Sequence, residues 1–85
     1  MKSVTRIFEI QAVEPYKITC LFQDKTSKTV DLKPFLEKNS RHKLINPLLN
    51  ERFFMQVTLD HLGGLLWPNG FDFSPLSAYQ MGQTT

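Results

Sequence analysis

The sequence is short of the residues that most chemistries require. Its one cysteine, Cys20, rules out an internal disulfide, so a reducing compartment, the cytoplasm, is expected. A zinc site needs about four ligands. One Cys and the two separated histidines, His42 and His61, do not supply them, so no metal and no cofactor is expected. No run approaches the ~18 apolar residues of a membrane helix, and Met1–Arg6 lacks the apolar stretch of a signal peptide. Glycine is scarce as well, at four residues. Gly63-Gly64 has the look of a phosphate-cradling loop, but no P-loop lysine or dinucleotide fingerprint follows it. It reads as a hairpin turn.

A strong charge of either sign is also missing, for the net charge is only +2. Its distribution is uneven. Lys25 to Arg52 holds seven basic residues against three acids, while the rest of the chain holds three against five. A basic middle can steer a polyanion or an acidic partner, although a solvated surface is the plainer reading. What is present is apolar mass: 41% of the 85 residues are hydrophobic and seven are Phe. That suffices for one small core and no second one. A single α+β domain is therefore expected over residues 1–80, with residues 81–85 as a frayed tail.

Local patterns place the elements. Thr5 to Val13 reads as a strand with Ile7, Phe8, Ile10 and Val13 spread over both faces, hence covered on both sides. Tyr16 to Gln23 alternates cleanly, with Tyr16, Ile18, Cys20 and Phe22 on one face, and Lys28 to Leu32 completes a three-stranded antiparallel meander. Three prolines preceded by a capping-type side chain place short helices at about Pro34–Lys38, Pro47–Arg52 and Pro75–Gln80. Phe53, Met55, Val57 and Leu59 fall in phase for a fourth strand, Phe53 to Asp60. Leu65 to Trp67 pairs back on it as a C-terminal hairpin, and Asn69-Gly70 suits a type I′ turn.

Gly63 to Pro75 concentrates the only Trp, three of the four Gly and two of the five Pro. On this stretch above all, the chain resembles the bacterial domain-of-unknown-function family 2442. The matching residues are Leu66-Trp67-Pro68-Asn69-Gly70 with Asp72, Ser74-Pro75 and Tyr79, preceded by Leu21-Phe22, Val30-Asp31-Leu32, Leu44 through Pro47-Leu48 to Phe53, and Val57. The resemblance spans about Val4 to Gln80. Two positions depart from the family pattern: Asp24-Lys25 stands where an Asp-Gly turn is usual, and Asn46 where aspartate is usual. The resemblance implies a sheet with short helices, and a module that in other proteins is joined to a helix-turn-helix or encoded beside predicted toxins. It implies no activity.

No pair of groups has the spacing of an activated nucleophile or acid–base couple, so no enzyme is expected. Cys20 lies on an apolar strand face, where a thiol is inert. Asp60 or Asp72 beside His61 lacks a nucleophile motif, and Asp72 reads as a cap or turn oxygen. The leading expectation is a non-catalytic, antitoxin-like or regulatory module that binds a protein partner, a toxin-like protein or a second copy of itself. Its candidate contacts are Trp67, Asn69, Asp72 and Tyr79, with Trp67 a core residue whose indole edge is exposed. The alternative is nucleic-acid binding through Lys38, Arg41, His42, Lys43 and Arg52.

Overall fold

The strand with the clearest alternation, β2 (Lys17–Phe22), buries Ile18, Cys20 and Phe22 and turns Lys17, Thr19 and Leu21 outward. It is paired antiparallel on one side with β1 (Ile7–Glu14) and on the other with β3 (Ser27–Asp31). The structure, a computed structural model, describes residues 5–84. The opening Met1–Val4, part of the segment that does not read as a signal peptide, and the last tail residue Thr85 lie outside it.

β1 is not covered on both sides. It is an edge strand, and two bulges account for its apolar spacing. The register steps from Ile7↔Phe22 to Glu9↔Leu21 and from Ile10↔Cys20 to Ala12↔Thr19, which leaves Phe8 and Gln11 as extra residues. Ile7, Ile10 and Val13 are thereby brought opposite Phe22, Cys20 and Ile18, all on the inner face. A three-residue spacing that straddles both faces of a regular strand becomes one face of a bulged one. Phe8 is left outside, 70% exposed.

The helices follow the prolines, with one displacement. In α1 (Lys33–Lys38) the Asp31 carboxylate accepts from the Lys33 N–H, and in α3 (Pro75–Met81) the Ser74 hydroxyl accepts from the Ser77 N–H. Between them the chain makes a 3₁₀ turn, Asn46–Leu49, and then α2 (Glu51–Phe54). Asn50, whose side chain accepts from the Phe53 N–H, caps α2 and separates the two, so no single helix runs from Pro47 to Arg52. The fourth strand expected from Phe53 to Asp60 shrinks to β4 (Thr58–Leu59). Its apparent alternation was coincidental: Phe54 and Val57, three residues apart, are the buried pair, and Met55 faces solvent. The cap competes successfully with the strand pattern.

β4, β5 (Leu65–Leu66) and β6 (Asp72–Phe73) form a second antiparallel sheet in sequence order. The tail is not frayed: Gln83–Thr84, β7, pair with β3 and extend the first sheet to β1-β2-β3-β7. The architecture is thus α+β, with a four-stranded and a three-stranded antiparallel sheet and short helices among the described residues.

Three hairpins share one turn. Phe22, Asp60 and Trp67 each donate their N–H to the carbonyl four residues on (Thr26, Gly64, Phe71) and accept from the N–H three residues on (Lys25, Gly63, Gly70). The third loop residue has positive φ in every case: 74° at Lys25, 83° at Gly63 and 91° at Gly70. This is the three-residue loop that ends in a left-handed residue. Asn69 does not share the positive φ, so the type I′ turn expected there is replaced by this one. Lys25 alone among the three has a Cβ to strain. Lys25→Gly is predicted to stabilise the domain by about 0.5–1 kcal/mol, the left-handed relief outweighing the entropy glycine adds to the unfolded chain. Urea unfolding followed by Trp67 fluorescence measures it, as a midpoint about 0.5–1 M higher.

Candidate functional site

The buried centre is aromatic. Tyr16 meets Phe54 edge-on at 5.2 Å, Phe54 meets Trp67 at 5.7 Å, and Trp67 meets Phe71 at 5.9 Å. Phe35 then joins Phe71 to Phe73 at 6.4 and 5.1 Å. Trp67 is 1% exposed, and its indole N–H donates to the Phe54 carbonyl at 3.0 Å. Its edge is therefore spoken for, and it offers nothing to a partner. Two more of the residues picked from the sequence are also structural. Asn69 donates to the Leu44 carbonyl and accepts from the Phe71 N–H. Tyr79 donates its hydroxyl to Asp24 at 2.9 Å, packs on Phe22, and carries the Lys28 ammonium 3.7 Å above its ring. Lys28 also donates to the Tyr79 carbonyl. This clamp fastens α3 to the β2–β3 hairpin, a role not visible in the sequence because its hydrogen-bonded members lie 51 and 55 residues apart.

Asp72 is the exposed one of the four. It lies in β6 opposite Leu66 and does not cap α3, since Ser74 does that. It is not brought to His61 either: β5 separates the turn that carries His61 from the turn that leads into Asp72. Asp60 is engaged with its own turn, accepting from the N–H groups of Leu62 and Gly64 at 2.7 and 2.9 Å. The Gly64 N–H above all holds its carboxyl below the usual range, with the Leu62 N–H and the nearby His61 adding to it. Asp24 is lowered chiefly by the Thr26 N–H, then by the Thr26 and Tyr79 hydroxyls. Burial pushes the Cys20 thiol up to about 12, so it stays protonated and unreactive. Among the described residues, no three His, Cys, Asp or Glu side chains gather as metal ligands, and no helix is long and apolar enough to cross a membrane.

Two surfaces remain, one at either end of β5. At the end marked by the His61–Gly63 loop, Ile7 donates its N–H to the Gly63 carbonyl and the Arg6 guanidinium donates to the His61 carbonyl. There Arg6, Ile7, Phe8, Gln23, Leu59, Asp60 and Gly63 line an open depression of about 380 Å³. Phe8 rises beside it at 70% exposure, and Leu62, 61% exposed, sits on the adjoining loop. At the other end Asn69 reaches the loop that follows α1. Arg41, His42 and Lys43 are exposed there, after Lys38 at the end of α1. Arg52 is exposed on α2.

Fold and sequence define a small α+β domain that carries a Trp-Pro-Asn-Gly turn after β5. The chain belongs to the DUF2442 family of proteins of unknown function, whose profile matches residues 7–80. It matches no curated protein and no solved structure.

Two outcomes follow. Asp60 stabilises the fold fully at pH values above the ordinary carboxyl range near 4, and that contribution is lost as pH falls through its lowered folded value. Asp60→Asn is predicted to lose less stability than the parent between about pH 5 and pH 2 in denaturant titrations. Asn69→Ala forfeits two hydrogen bonds and is predicted to cost about 1–2 kcal/mol by urea unfolding.

Proposed function

We propose that this chain is a non-catalytic binding module that holds an extended segment of a different protein along β1, anchored on Phe8. The observation that carries the reading is an edge strand beside which a phenylalanine is 70% exposed. A large apolar ring in water is costly, and aromatic anchors dominate interface energies. A sheet edge supplies the backbone groups that an added strand pairs with. The bulges at Phe8 and Gln11 break the ladder, so indiscriminate edge pairing is discouraged and the side chain fixes the register.

Charge narrows the partner. β1 exposes Glu9 and Glu14 and carries no basic residue, so the segment it favours combines an apolar residue for Phe8 and Leu62 with Lys or Arg for the two acids. A cytoplasmic regulatory pair, with a toxin-like protein as the partner, fits this reading and the family resemblance. A second copy of the chain fits it less well, because β1 has no Lys or Arg to meet the two acids.

Co-purification from the native host, run side by side with Phe8→Ser, tests the proposal. One protein is expected at near-equal amounts with the parent, and the variant is expected to bind it about thirtyfold more weakly while its Trp67 emission is unchanged. Equal recovery with both chains, a homodimer, or a monomer with no partner would contradict it.

A further inference from the structure

The loop after α1 is more ordered than a solvated connection needs to be. The Asn39 side chain donates to the Phe35 carbonyl, Asn46 to Ser40, and Asn69 to Leu44, all at 2.8 to 3.0 Å. The Ile45 and Asn46 N–H groups both donate to the His42 carbonyl. The Leu44 N–H donates to His42 Nδ1 at 3.2 Å. Side chains of three asparagines and a histidine thus fix a short segment whose exposed residues include Arg41, His42 and Lys43, next to the exposed Lys38. From Lys38 to Asn46 there is no acidic residue.

We propose that this loop binds the phosphate backbone of duplex nucleic acid, without reading its sequence, on a surface separate from Phe8. A protein-binding surface needs an apolar centre that excludes water. The large exposed hydrophobics, Phe8, Met55, Leu62, Leu76 and Met81, all lie outside residues 38–46. A patch of cations with no apolar centre suits phosphates, which are bound by charge and hydrogen bonds alone. Single strands are held by bases stacking on exposed aromatic rings. The loop has none, so the backbone of a duplex is the better fit. Rigidity matters because Lys and Arg already lose side-chain entropy on binding, and a fixed main chain adds no further ordering cost. Lys38, Arg41 and Lys43 supply the charges, beside the exposed His42. Asn69 positions the loop from the turn that follows β5.

The test is fluorescence polarisation with a labelled mixed-sequence duplex. Three phosphate contacts predict a log–log salt slope of about −2.7, or about 40-fold weaker binding between roughly 50 and 200 mM salt on a duplex of about 20 base pairs. Arg41→Gln combined with Lys43→Gln should flatten the slope by about 2 and weaken binding at low salt by tenfold or more. Phe8→Ser should leave both unchanged, and Trp67 emission reports that each variant is folded. No binding at low salt, a folded double variant that binds as well as the parent, or equal competition by polyglutamate of matched charge would overturn the proposal, the last by assigning the loop to acidic proteins.

Discussion

One buried hydrogen bond, from the Trp67 indole to the Phe54 carbonyl, ties the end of the second sheet's central strand to α2 at the middle of the core. Neither α2, at four residues, nor β5, at two, has enough hydrogen bonds of its own to persist in water. Each depends on what it packs against. Trp67 follows β5, touches α2 through Phe54, and reaches α1 through Phe71 and Phe35. On the far side of Phe54, Tyr16 rests on its ring and donates to the Leu49 carbonyl, which ties the 3₁₀ turn to the first sheet. The two sheets share no ladder and are coupled through these aromatic rings and through the bonds from Ile7 and Arg6 to the His61–Gly63 loop. In so small a core the indole does this efficiently: it fills a large volume, and its single polar atom is satisfied.

That coupling leaves the loops at the two ends of β5 available for other work. Both are built on the same turn, yet their surroundings differ in kind. Gly63 brings the chain against Arg6 and Ile7 and leaves an apolar rim of Phe8 and Leu62. The turn at Gly70 instead holds out Asn69 to brace a basic loop. A surface rich in hydrophobics and one rich in cations are thus separated along a single short hairpin.

Much of the fold was legible in the residues. The alternation of Ile18, Cys20 and Phe22 gave β2, and the prolines at 34 and 75 gave the starts of α1 and α3 to within a residue. What stayed hidden has physical reasons. A bulge leaves no mark on composition, so the separation of Ile7, Ile10 and Val13 looked like a strand buried on both faces. Asn50 as a cap lay inside what reads as a proline-led helix, and once it is placed there Phe54 and Val57 become a helical pair. β7 is held by tertiary contact with β3, and so gave no local signal. The candidate site was less legible. Trp67, Asn69 and Tyr79 stood out because they are distinctive, and they are distinctive because the scaffold needs them. Phe8 was just one phenylalanine among seven; only the bulge turns it outward.

The central claim is that the Trp67 indole N–H is locked in the bond to α2 at the middle of the aromatic chain that links the two sheets. Native-state hydrogen exchange of that proton, followed by NMR beside the backbone amides, tests it most directly. The account predicts that it exchanges only through global unfolding, at the rate of the slowest amides of β2. Exchange orders of magnitude faster, with the β2 amides still protected, would show that the second sheet opens on its own and that the coupling does not exist.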